Sequence, residues 1–380
     1  MVNPQYDRNH PFLAQIVLNR KLTRFGSAKD TRHLEFAIDS KALPFEPGDS
    51  LGVWPSNEPV LVDKLITING LEANDTVLDE NGTPWLLKNF LANRCDLQKV
   101  TPRLLPALQK NATHPRDQSR LENWSHLDNK DHWREEHMDV LDVLEQLPFT
   151  KLNAQELVNV LGRLTPRLYS ISSSLLAHPD RLHLTVTVET TEHKNRIRMG
   201  VASTHLSWRS GTEERLPLFV HEAKHFHLPE SGDVPIIMVG PGTGIAPFRS
   251  FLQEREALGA LGKNWLFFGE QRRTFDFLYE DELLHWQKTG LLTRLNTAFS
   301  RDQEEKIYVQ HRIWEERQEI WKWLNEGAYF YMCGDARRMA KDVDATLLLI
   351  AQECGQLSAE AALEYFKVMK KEKRYLKDVY

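Results

Sequence analysis

The chain has 380 residues, 53 acidic against 48 basic, and a formal net charge of -5. Because single cores rarely exceed roughly 250 residues, this length predicts two or three domains. The mild charge, with basic residues scattered among acidic ones, excludes a general nucleic-acid surface. No apolar run approaches the ~20 residues of a membrane span. The cysteines, Cys95, Cys333 and Cys354, are an odd set at unpatterned spacing. With an N-terminus unlike a secretion signal, they predict a cytoplasmic protein without disulfides.

The N-terminal segment, residues 10–56, follows a strand pattern. Segments 15–18 and 32–38 alternate polar with apolar residues, and a turn-forming segment at 24–27 separates them. A Pro-Gly turn at 47–48 then leads into a short apolar strand. Short strands separated by turns favour a barrel or a sandwich over a parallel sheet.

The pattern becomes helical from residue 57. Apolar residues recur at helical spacing in several segments, some of them opened by proline or a capping side chain. These segments are 58–69, 84–93, 102–110, 137–147 and 153–161. The stretch 114–134 is polar, contains tryptophan and has no period, so it receives no assignment. A mostly helical insertion is therefore predicted.

A polar and aromatic motif follows at 167–174. It combines a basic residue, an aromatic ring and a run of hydroxyls, which together suit a nucleotide cofactor with an aromatic ring system such as a flavin. Strands are predicted at 181–188 and 217–220, and a charged loop at 192–198. Gly200 can open a helix, and backbone donors at a helix start favour a phosphate.

The last third of the chain alternates short apolar strands with helices. Such alternation predicts a parallel sheet covered on both faces by helices, with ligands at the carboxyl ends of its strands. The predicted strands are 235–239, 265–268, 294–299 and 329–333. The predicted helices are 247–258, 279–288, 309–324 and 336–354.

The residues after these strands carry the functional signal. Residues 240–247 form a glycine-rich turn between a strand and a helix, which can approach a pyrophosphate, although such a turn alone is a weak signal. The third strand is followed by two cations, a hydroxyl and a phenol, which suit either a phosphate monoester or a solvated loop. These are Ser300, Arg301, Lys306 and Tyr308. The fourth strand ends in Cys333 and Asp335, a thiol and a carboxylate at the same crevice.

Five motifs give the chain a specific resemblance to a known family. They are Arg167-Leu168-Tyr169-Ser170, Gly200-Val201-Ala202-Ser203, the segment 240–248, Cys333-Gly334-Asp335 and Lys377-Asp378-Val379-Tyr380. In this order they resemble the ferredoxin-NADP reductase module of the diflavin reductases. Within that family the chain is most similar to the flavoprotein (alpha) subunits of bacterial NADPH-dependent sulfite reductases. The resemblance covers almost the whole chain.

The resemblance implies a multi-domain fold. An antiparallel FAD-binding β-barrel would comprise residues 10–56 and 163–228, a mostly helical connecting insertion 57–162, and an α/β doubly wound parallel-sheet NADP(H)-binding domain 229–380. The implied enzyme is an NADPH-dependent flavoprotein reductase that transfers hydride from NADPH to FAD. Electrons would pass on to FMN in a flavodoxin-like domain or protein, and then to the sulfite reductase hemoprotein (beta) subunit for assimilatory sulfite reduction.

The resemblance also implies an FAD site. Tyr169 would stack on one face of the isoalloxazine, Arg167 would neutralise the pyrophosphate, and Ser170 would lie near the flavin N5. Tyr380 would cover the other face until the nicotinamide displaces it. The remaining implied FAD residues are Thr185, Val186, Thr187, Gly200, Val201, Ala202 and Ser203.

An NADPH site is implied as well. Four side chains would bind the 2′-phosphate and give preference for NADPH over NADH: Ser300, Arg301, Lys306 and Tyr308. Three residues match the side chains that take part in hydride transfer in the family: Ser170, Cys333 and Asp378. Tyr380 is the fourth candidate catalytic residue. The other implied NADPH residues are Gly242, Thr243, Gly244, Gln310, Cys333, Asp335 and Met339.

The chain departs from the family in two respects. Thr190 stands where relatives often carry an aromatic residue, so the adenine end of FAD is expected to be held differently. Nothing before Pro11 can encode the family's flavodoxin-like FMN domain. FMN is therefore expected elsewhere, either in the remainder of a longer subunit or in a separate protein.

Other interpretations remain open from the residues alone. The chain can be a standalone reductase for a ferredoxin or flavodoxin, or a non-catalytic flavin-binding module that docks a hemoprotein through 114–134. Cys333 is, by residue type, more often a small buried hydrophobe than a functional thiol, and a terminal tyrosine such as Tyr380 is usually frayed. His221, His225 and His227 have metal-ligand character but no acidic or thiol partner in the pattern, so no metal is predicted.

Overall fold

A computed structural model describes residues 6–126, 136–193, 196–211 and 213–380. The chain forms two compact units. The first comprises Met1–Val53, Leu168–Val188 and Ser210–Tyr380, and the second Trp54–Arg167 and Glu189–Arg209. Within the described ranges, no helix has both the length and the apolar character needed to cross a membrane.

The first unit contains a six-stranded antiparallel sheet closed into a barrel. Along the sheet its strands are Arg167–Ser170, Ser50–Val53, Arg215–His221, Phe12–Lys21, Thr31–Ala37 and Arg181–Thr187. Ile171, just after the first of these, forms an antiparallel bridge with Leu184 in the last. A backbone hydrogen bond from Ser172 N to His183 O, at 2.9 Å, lies beside this bridge. Together the two contacts join the first and last strands of the sheet and close it into a barrel. The predicted barrel is confirmed.

Alternation explains most of the barrel strands. In Thr31–Ala37, Leu34 and Phe36 are fully buried, as expected for a strand with one face on a core. Phe12–Lys21 departs from simple alternation because its register shifts between Ile16 and Leu18. A bulge of this kind bends the strand and re-aims the side chains that follow it.

The first unit also contains a five-stranded parallel sheet. In spatial order its strands are Arg294–Phe299, Asn264–Glu270, Ile236–Val239, Tyr329–Gly334 and Tyr375–Val379. The predicted doubly wound sheet is confirmed. The prediction of four strands was incomplete, because Tyr375–Val379 adds a fifth beside Tyr329–Gly334. The strand order reverses between Ile236–Val239 and Tyr329–Gly334, and a crevice forms at such a switch point.

Helices cover this sheet. They are Ala246–Ala257, Arg273–Asp276, Glu280–Thr289, Val309–Glu315, Arg317–Asn325, Met339–Glu353 and Ala359–Lys371, with a 3-10 turn at Gly242–Ile245. The single helix predicted at 309–324 is wrong: it divides at Glu316, whose carboxylate accepts from Arg294 at 2.6 Å and from Asn296 at 3.1 Å. Ala359–Lys371 was not predicted, although Ser358 caps its start through the Ala361 N–H.

The second unit is mainly helical. Its helices are Pro59–Asn69, Leu87–Arg94, Leu104–Asn111, Pro115–Ser125, Val140–Glu145, Ala154–Val160 and Val201–Thr204, followed by a π-helix at His205–Arg209. Its short strands are Thr76–Leu78, Pro84–Leu86, Cys95–Asp96, Gly162–Arg163, Thr190–His193 and Arg196–Met199. One apolar core runs through the helices and includes Leu65, Phe90 and Leu108.

Two local predictions in this unit need correction, and one unassigned stretch contains a helix. The helix predicted at 84–93 begins at Leu87, because Pro84–Leu86 pairs as a strand with Thr76–Leu78. The loop predicted at 192–198 belongs to a hairpin of Thr190–His193 with Arg196–Met199. The unassigned stretch 114–134 contains the helix Pro115–Ser125, which Pro115 opens at its first turn, while 127–134 lie outside the described residues.

Candidate functional site

A pocket of about 760 Å³ lies at the junction of the barrel and the parallel sheet. From the barrel, the pocket is lined by Tyr169, Ser170 and Thr185. From the side of the parallel sheet, it is lined by Thr243 and Tyr380. Val186 and Thr187, also predicted for this site, do not line it. Val186 is 1 % exposed in the barrel core, and Thr187 Oγ1 bonds Thr31 Oγ1 at 2.9 Å.

A carboxylate connects both sides of this pocket. Asp378 lies directly opposite Cys333 in the parallel pairing of Tyr329–Gly334 with Tyr375–Val379. Its Oδ2 accepts from Ser170 Oγ at 2.8 Å and lies 3.7 Å from Cys333 Sγ. Ser170, Cys333 and Asp378, predicted as one group, are therefore brought together, although Cys333 and Asp378 are 45 positions apart in the chain.

The thiol in this group is neutral. Cys333 is fully buried, and burial first, then the adjacent Asp378 charge, raises its pKa well above the ordinary value for a thiol. A protonated Cys333 can donate to Asp378 and cannot act as a nucleophile at neutral pH.

Tyr380 is held at the mouth of the pocket. Its hydroxyl bonds Thr243 Oγ1 at 3.0 Å, and its backbone N–H donates to Gly334 O at 3.1 Å. The carbonyl of Tyr380 accepts from Ala336 N at 3.1 Å. The residue is 66 % exposed, so its ring can move away at the cost of one side-chain hydrogen bond.

The glycine-rich turn packs tightly against the strand that carries Cys333. A Cβ on Gly244 would lie 2.2 Å from the carbonyl oxygen of Cys333, so only glycine fits there. Gly242 has φ +59°, a left-handed conformation that glycine adopts without strain. The turn leads through Gly242–Ile245 into the helix Ala246–Ala257. This geometry suits a backbone cradle for a phosphate.

A second pocket, of about 380 Å³, lies beside this turn. Six residues predicted for NADPH line it: Gly242, Ser300, Tyr308, Gln310, Asp335 and Met339. Asp335 also caps the helix Met339–Glu353, since its Oδ1 accepts from Arg338 N at 2.5 Å and from Met339 N at 3.2 Å. The Arg338 bond is the main cause that lowers the pKa of Asp335 below its usual range.

Arg301 and Lys306 do not line this pocket. Both are exposed, and among the described residues neither side chain has a hydrogen-bond partner or an ion pair. Because neither cation is paired with a protein group, both are available to bind a phosphate that lies beyond the edge of the pocket.

Sequence reasoning missed four charged residues of this pocket: Lys29, Glu270, Arg338 and Asp342. Asp342 accepts from Gln310 at 3.1 Å. Arg338 lies three residues after the Cys333-Gly334-Asp335 motif. Because ligands bind at the carboxyl ends of parallel strands, its position could have identified it as a site residue. Lys29 gave no signal, because it lies in the connection between the first two barrel strands.

The remaining predicted FAD residues belong to the second unit. Arg167 is exposed and donates to Thr165 Oγ1 at 2.8 Å. Gly200 precedes the helix Val201–Thr204, as predicted, and its carbonyl accepts from Thr204 N at 3.0 Å. Ser203 Oγ accepts from Glu189 N at 3.0 Å.

A buried polar cluster fixes the barrel to the helix Ala246–Ala257. Arg249 donates to the Ser172 carbonyl at 2.6 Å, to His183 Nδ1 at 3.1 Å and to Glu282 at 2.7 Å. His33 bonds Tyr279 OH through Nδ1 at 3.0 Å and Glu35 through Nε2 at 3.2 Å.

This cluster includes a group with metal-ligand geometry: His33, Glu35 and His183. Arg249 has no lone pair and donates to His183 Nδ1, so the neutral His183 ring carries its proton on Nε2. That nitrogen then has no lone pair for a metal. Among the described residues His221, His225 and His227 form no such group; His227 bonds the carbonyls of Pro47 and Ala223 instead.

Comparisons with known proteins agree with this geometry. Residues 4–205 match the family described as FAD binding domain, and residues 238–345 match the family described as oxidoreductase NAD-binding domain. The chain belongs to the FAD binding domain family. FAD binding, nicotinamide-dinucleotide binding and the oxidoreductase class are confirmed.

Three similar relatives share one description. The chain is 42 % identical to the sulfite reductase [NADPH] flavoprotein alpha-component of Vibrio parahaemolyticus over 99 % of this chain and 59 % of that protein. Identity to the Bacillus subtilis protein is 42 %, over 99 % and 62 %. For a Shewanella relative it is 43 %, over 99 % and 62 %. The chain spans about three fifths of the length of these relatives.

Proposed function

We propose that this chain is the reductase module that receives hydride from NADPH on FAD and passes the electrons to FMN on another domain or protein. The observation that carries the proposal is the Ser170–Asp378–Cys333 group in a pocket lined by Tyr169 and Tyr380. Bound FAD and NADPH supply the hydride chemistry, and the protein supplies orientation and charge. The volume of the pocket, about 760 Å³, suits a flat ring with a second ring beside it.

Each side chain has a distinct role in this proposal. Tyr169 provides a ring face in the pocket, and Ser170 orients Asp378 by donating to it. Asp378 provides a negative charge where the nicotinamide becomes cationic, and such fixed charge stabilises a transition state. Cys333, as a neutral thiol, donates a second hydrogen bond to the Asp378 carboxylate. Tyr380, whose hydroxyl bonds Thr243, would have to move its ring aside for a nicotinamide to enter the pocket.

The 2′-phosphate of NADPH is assigned to four side chains: Ser300, Arg301, Lys306 and Tyr308. Ser300 and Tyr308 line the second pocket. Arg301 and Lys306 are exposed, and no side chain in the described ranges engages them. A planar guanidinium can bind a phosphate through two hydrogen bonds, and the ammonium adds a point charge.

The lysines that line the first pocket, here called its basic rim, favour an electron-carrier partner with an acidic surface. Lys224, Lys370, Lys371 and Lys373 line the first pocket, and Lys377 does so while paired with Asp344 at 2.6 Å. Lysines outnumber carboxylates in this lining. Complementary charge steers association and orients a partner over the buried ring. An FMN-binding flavodoxin-like domain or protein with an acidic face fits this rim.

Sulfite reduction is the pathway we infer. The support is that the relatives are described as sulfite reductase flavoprotein components. The final acceptor would then be a sulfite reductase hemoprotein. We assign the FAD-binding barrel to residues 10–56 and 163–228, the connecting insertion to 57–162 and the NADP(H) domain to 229–380. Cytoplasmic localisation fits the three unpaired cysteines.

Two measurements test the proposal in sequence. The purified protein should show a flavin spectrum that bleaches on addition of NADPH, and a spectrum that stays oxidised would refute the hydride step. Sulfide should then form only when an FMN carrier and the hemoprotein are both added. Electron transfer to the carrier should slow as salt rises, because screening weakens attraction between exposed charges. Transfer to ferredoxin but never to the hemoprotein would identify a standalone reductase.

A further inference from the structure

The second pocket contains an ion pair, between the partly exposed Lys29 and the buried Glu270, that joins the barrel to the nucleotide crevice. Lys29 Nζ lies 2.5 Å from Glu270 Oε1, and the Glu270 side chain is only 2 % exposed. Lys29 comes from the barrel, between the strands Phe12–Lys21 and Thr31–Ala37. The other lining residues that the structure describes come from the nucleotide domain. The pair therefore brings one barrel cation to a site otherwise formed by a different domain.

Glu270 faces the proposed phosphate cradle. It ends the strand Asn264–Glu270, and a Cβ placed on Gly242 would lie 3.5 Å from Glu270 Oε1. Its other oxygen accepts from Gln271 N at 2.7 Å. A carboxylate at this position would repel the two phosphates that join the halves of NADPH, unless a cation compensates it.

The remaining charges of the pocket do not provide that compensation. The lining contains the cations Lys29 and Arg338 and the carboxylates Glu270, Asp335 and Asp342. Carboxylates outnumber cations, although the ligand is a polyanion. Removal of Lys29 would leave Glu270 buried without an opposite charge, which is the costly case for an ion pair.

Backbone contacts hold Lys29 in place. Its N–H donates to Ser27 Oγ at 2.9 Å, and its carbonyl accepts from Thr23 Oγ1 at 3.0 Å. The same loop is docked on the nucleotide domain, because Arg24 N donates to Phe275 O at 2.8 Å and Arg24 NH2 to Glu280 at 2.7 Å. The ammonium is therefore delivered to Glu270 by a loop that is already ordered.

We propose that Lys29 is a positioning residue for nucleotide binding, which neutralises Glu270 so that the glycine turn can accept the diphosphate bridge of NADPH. This inference rests on the proposed nucleotide site and adds a barrel residue to it. The proposed effect on NADPH binding depends on the net charge of the Lys29–Glu270 pair. That net charge is zero in the natural protein, negative in Lys29→Met, positive in Glu270→Gln, and zero again when both residues are changed.

The test compares two ligands on the FAD-loaded protein by isothermal titration calorimetry. NADP⁺ contains the diphosphate bridge, whereas adenosine 2′-monophosphate lacks it and reports the 2′-phosphate site alone. Lys29→Met should weaken NADP⁺ about ten- to hundredfold and leave adenosine 2′-monophosphate within about twofold. Glu270→Gln should strengthen NADP⁺, and the double variant should return to within about threefold of the natural protein.

Two controls distinguish charge from loop placement. Arg24→Met removes the ion pair with Glu280 but keeps the Arg24 N–H bond to Phe275 O, which also docks the loop, so both affinities should stay nearly unchanged. Lys29→Arg keeps the charge and should bind NADP⁺ almost normally. Flavin content verifies that each variant is folded.

Three results would overturn the proposal. One is unchanged NADP⁺ affinity in Lys29→Met. Another is an equal loss for adenosine 2′-monophosphate, which would show that the loop had moved. The third is a double variant as weak as Lys29→Met, which would mean that Glu270 has no part in the effect. A natural protein that binds no NADP⁺ at all would instead refute the nucleotide site itself.

Discussion

Neutralising Asp378 should slow hydride transfer while leaving both cofactors bound. In Asp378→Asn the side chain keeps its shape and can still accept from Ser170, which lies 2.8 Å from Oδ2. The negative charge is removed, and one carboxylate oxygen is replaced by an NH2 donor. Because the nicotinamide gains positive charge as hydride leaves, the transition state should lose more stabilisation than the bound ground state.

The magnitude follows from Coulomb's law. Two unit charges about 5 Å apart at an effective dielectric near 20 interact by about 3 kcal/mol, which corresponds to ~100-fold in rate. The pocket is open to water on the side of Tyr380, which is 66 % exposed. Screening by that water reduces the effect, so we expect the rate to fall about ten- to hundredfold.

Stopped-flow absorbance of flavin reduction by NADPH and by NADPH deuterated at C4 measures this step directly. The rate should fall, the isotope effect should persist or increase, and NADP⁺ affinity should remain within about threefold. Asp344→Asn is the matched control, because Asp344 pairs with Lys377 at 2.6 Å and does not line the pocket. A normal reduction rate in Asp378→Asn with full flavin content would refute the charge argument.

Three further perturbations test separate parts of the site. Arg301→Ala should raise the Michaelis constant for NADPH about tenfold or more and leave that for NADH nearly unchanged, since only the 2′-phosphate contact is lost; equal effects in steady-state kinetics would contradict the assignment. Cys333→Ala should slow flavin reduction without loss of FAD, whereas loss of flavin on purification would show a structural role. Burial and the adjacent Arg249 lower the pKa of His33 from 6.5 to about 3 and also lower the pKa of His183. The unfolded chain therefore binds more protons between these values, and stability should fall as pH decreases from about 6.5 toward 3. Urea unfolding should show a shallower pH dependence in His33→Gln than in the natural protein; parallel curves would contradict this.

Local signals were sufficient for four of the five strands of the parallel sheet and for several of its helices. The strand at 294–299 was predicted with its observed bounds, because a strand, a turn and a helix each leave a pattern within a few residues. The glycine turn at 240–247 was placed between a strand and a helix for the same reason. The division at Glu316 was not predicted; the Glu316 carboxylate there accepts from Arg294 and Asn296, which lie on a distant strand.

The sequence by itself predicted the short strands of the first unit and the doubly wound sheet from periodicity, while its resemblance to a known family supplied the barrel and the cofactors. Only the tertiary structure placed Asp378 beside Cys333, because that contact depends on the register of a fifth strand. It alone brought Lys29 to Glu270 across 241 positions and assembled the cluster around Arg249 from both sides of the junction. Such contacts join segments that are far apart in the chain, and no local pattern records which distant charge a side chain will meet.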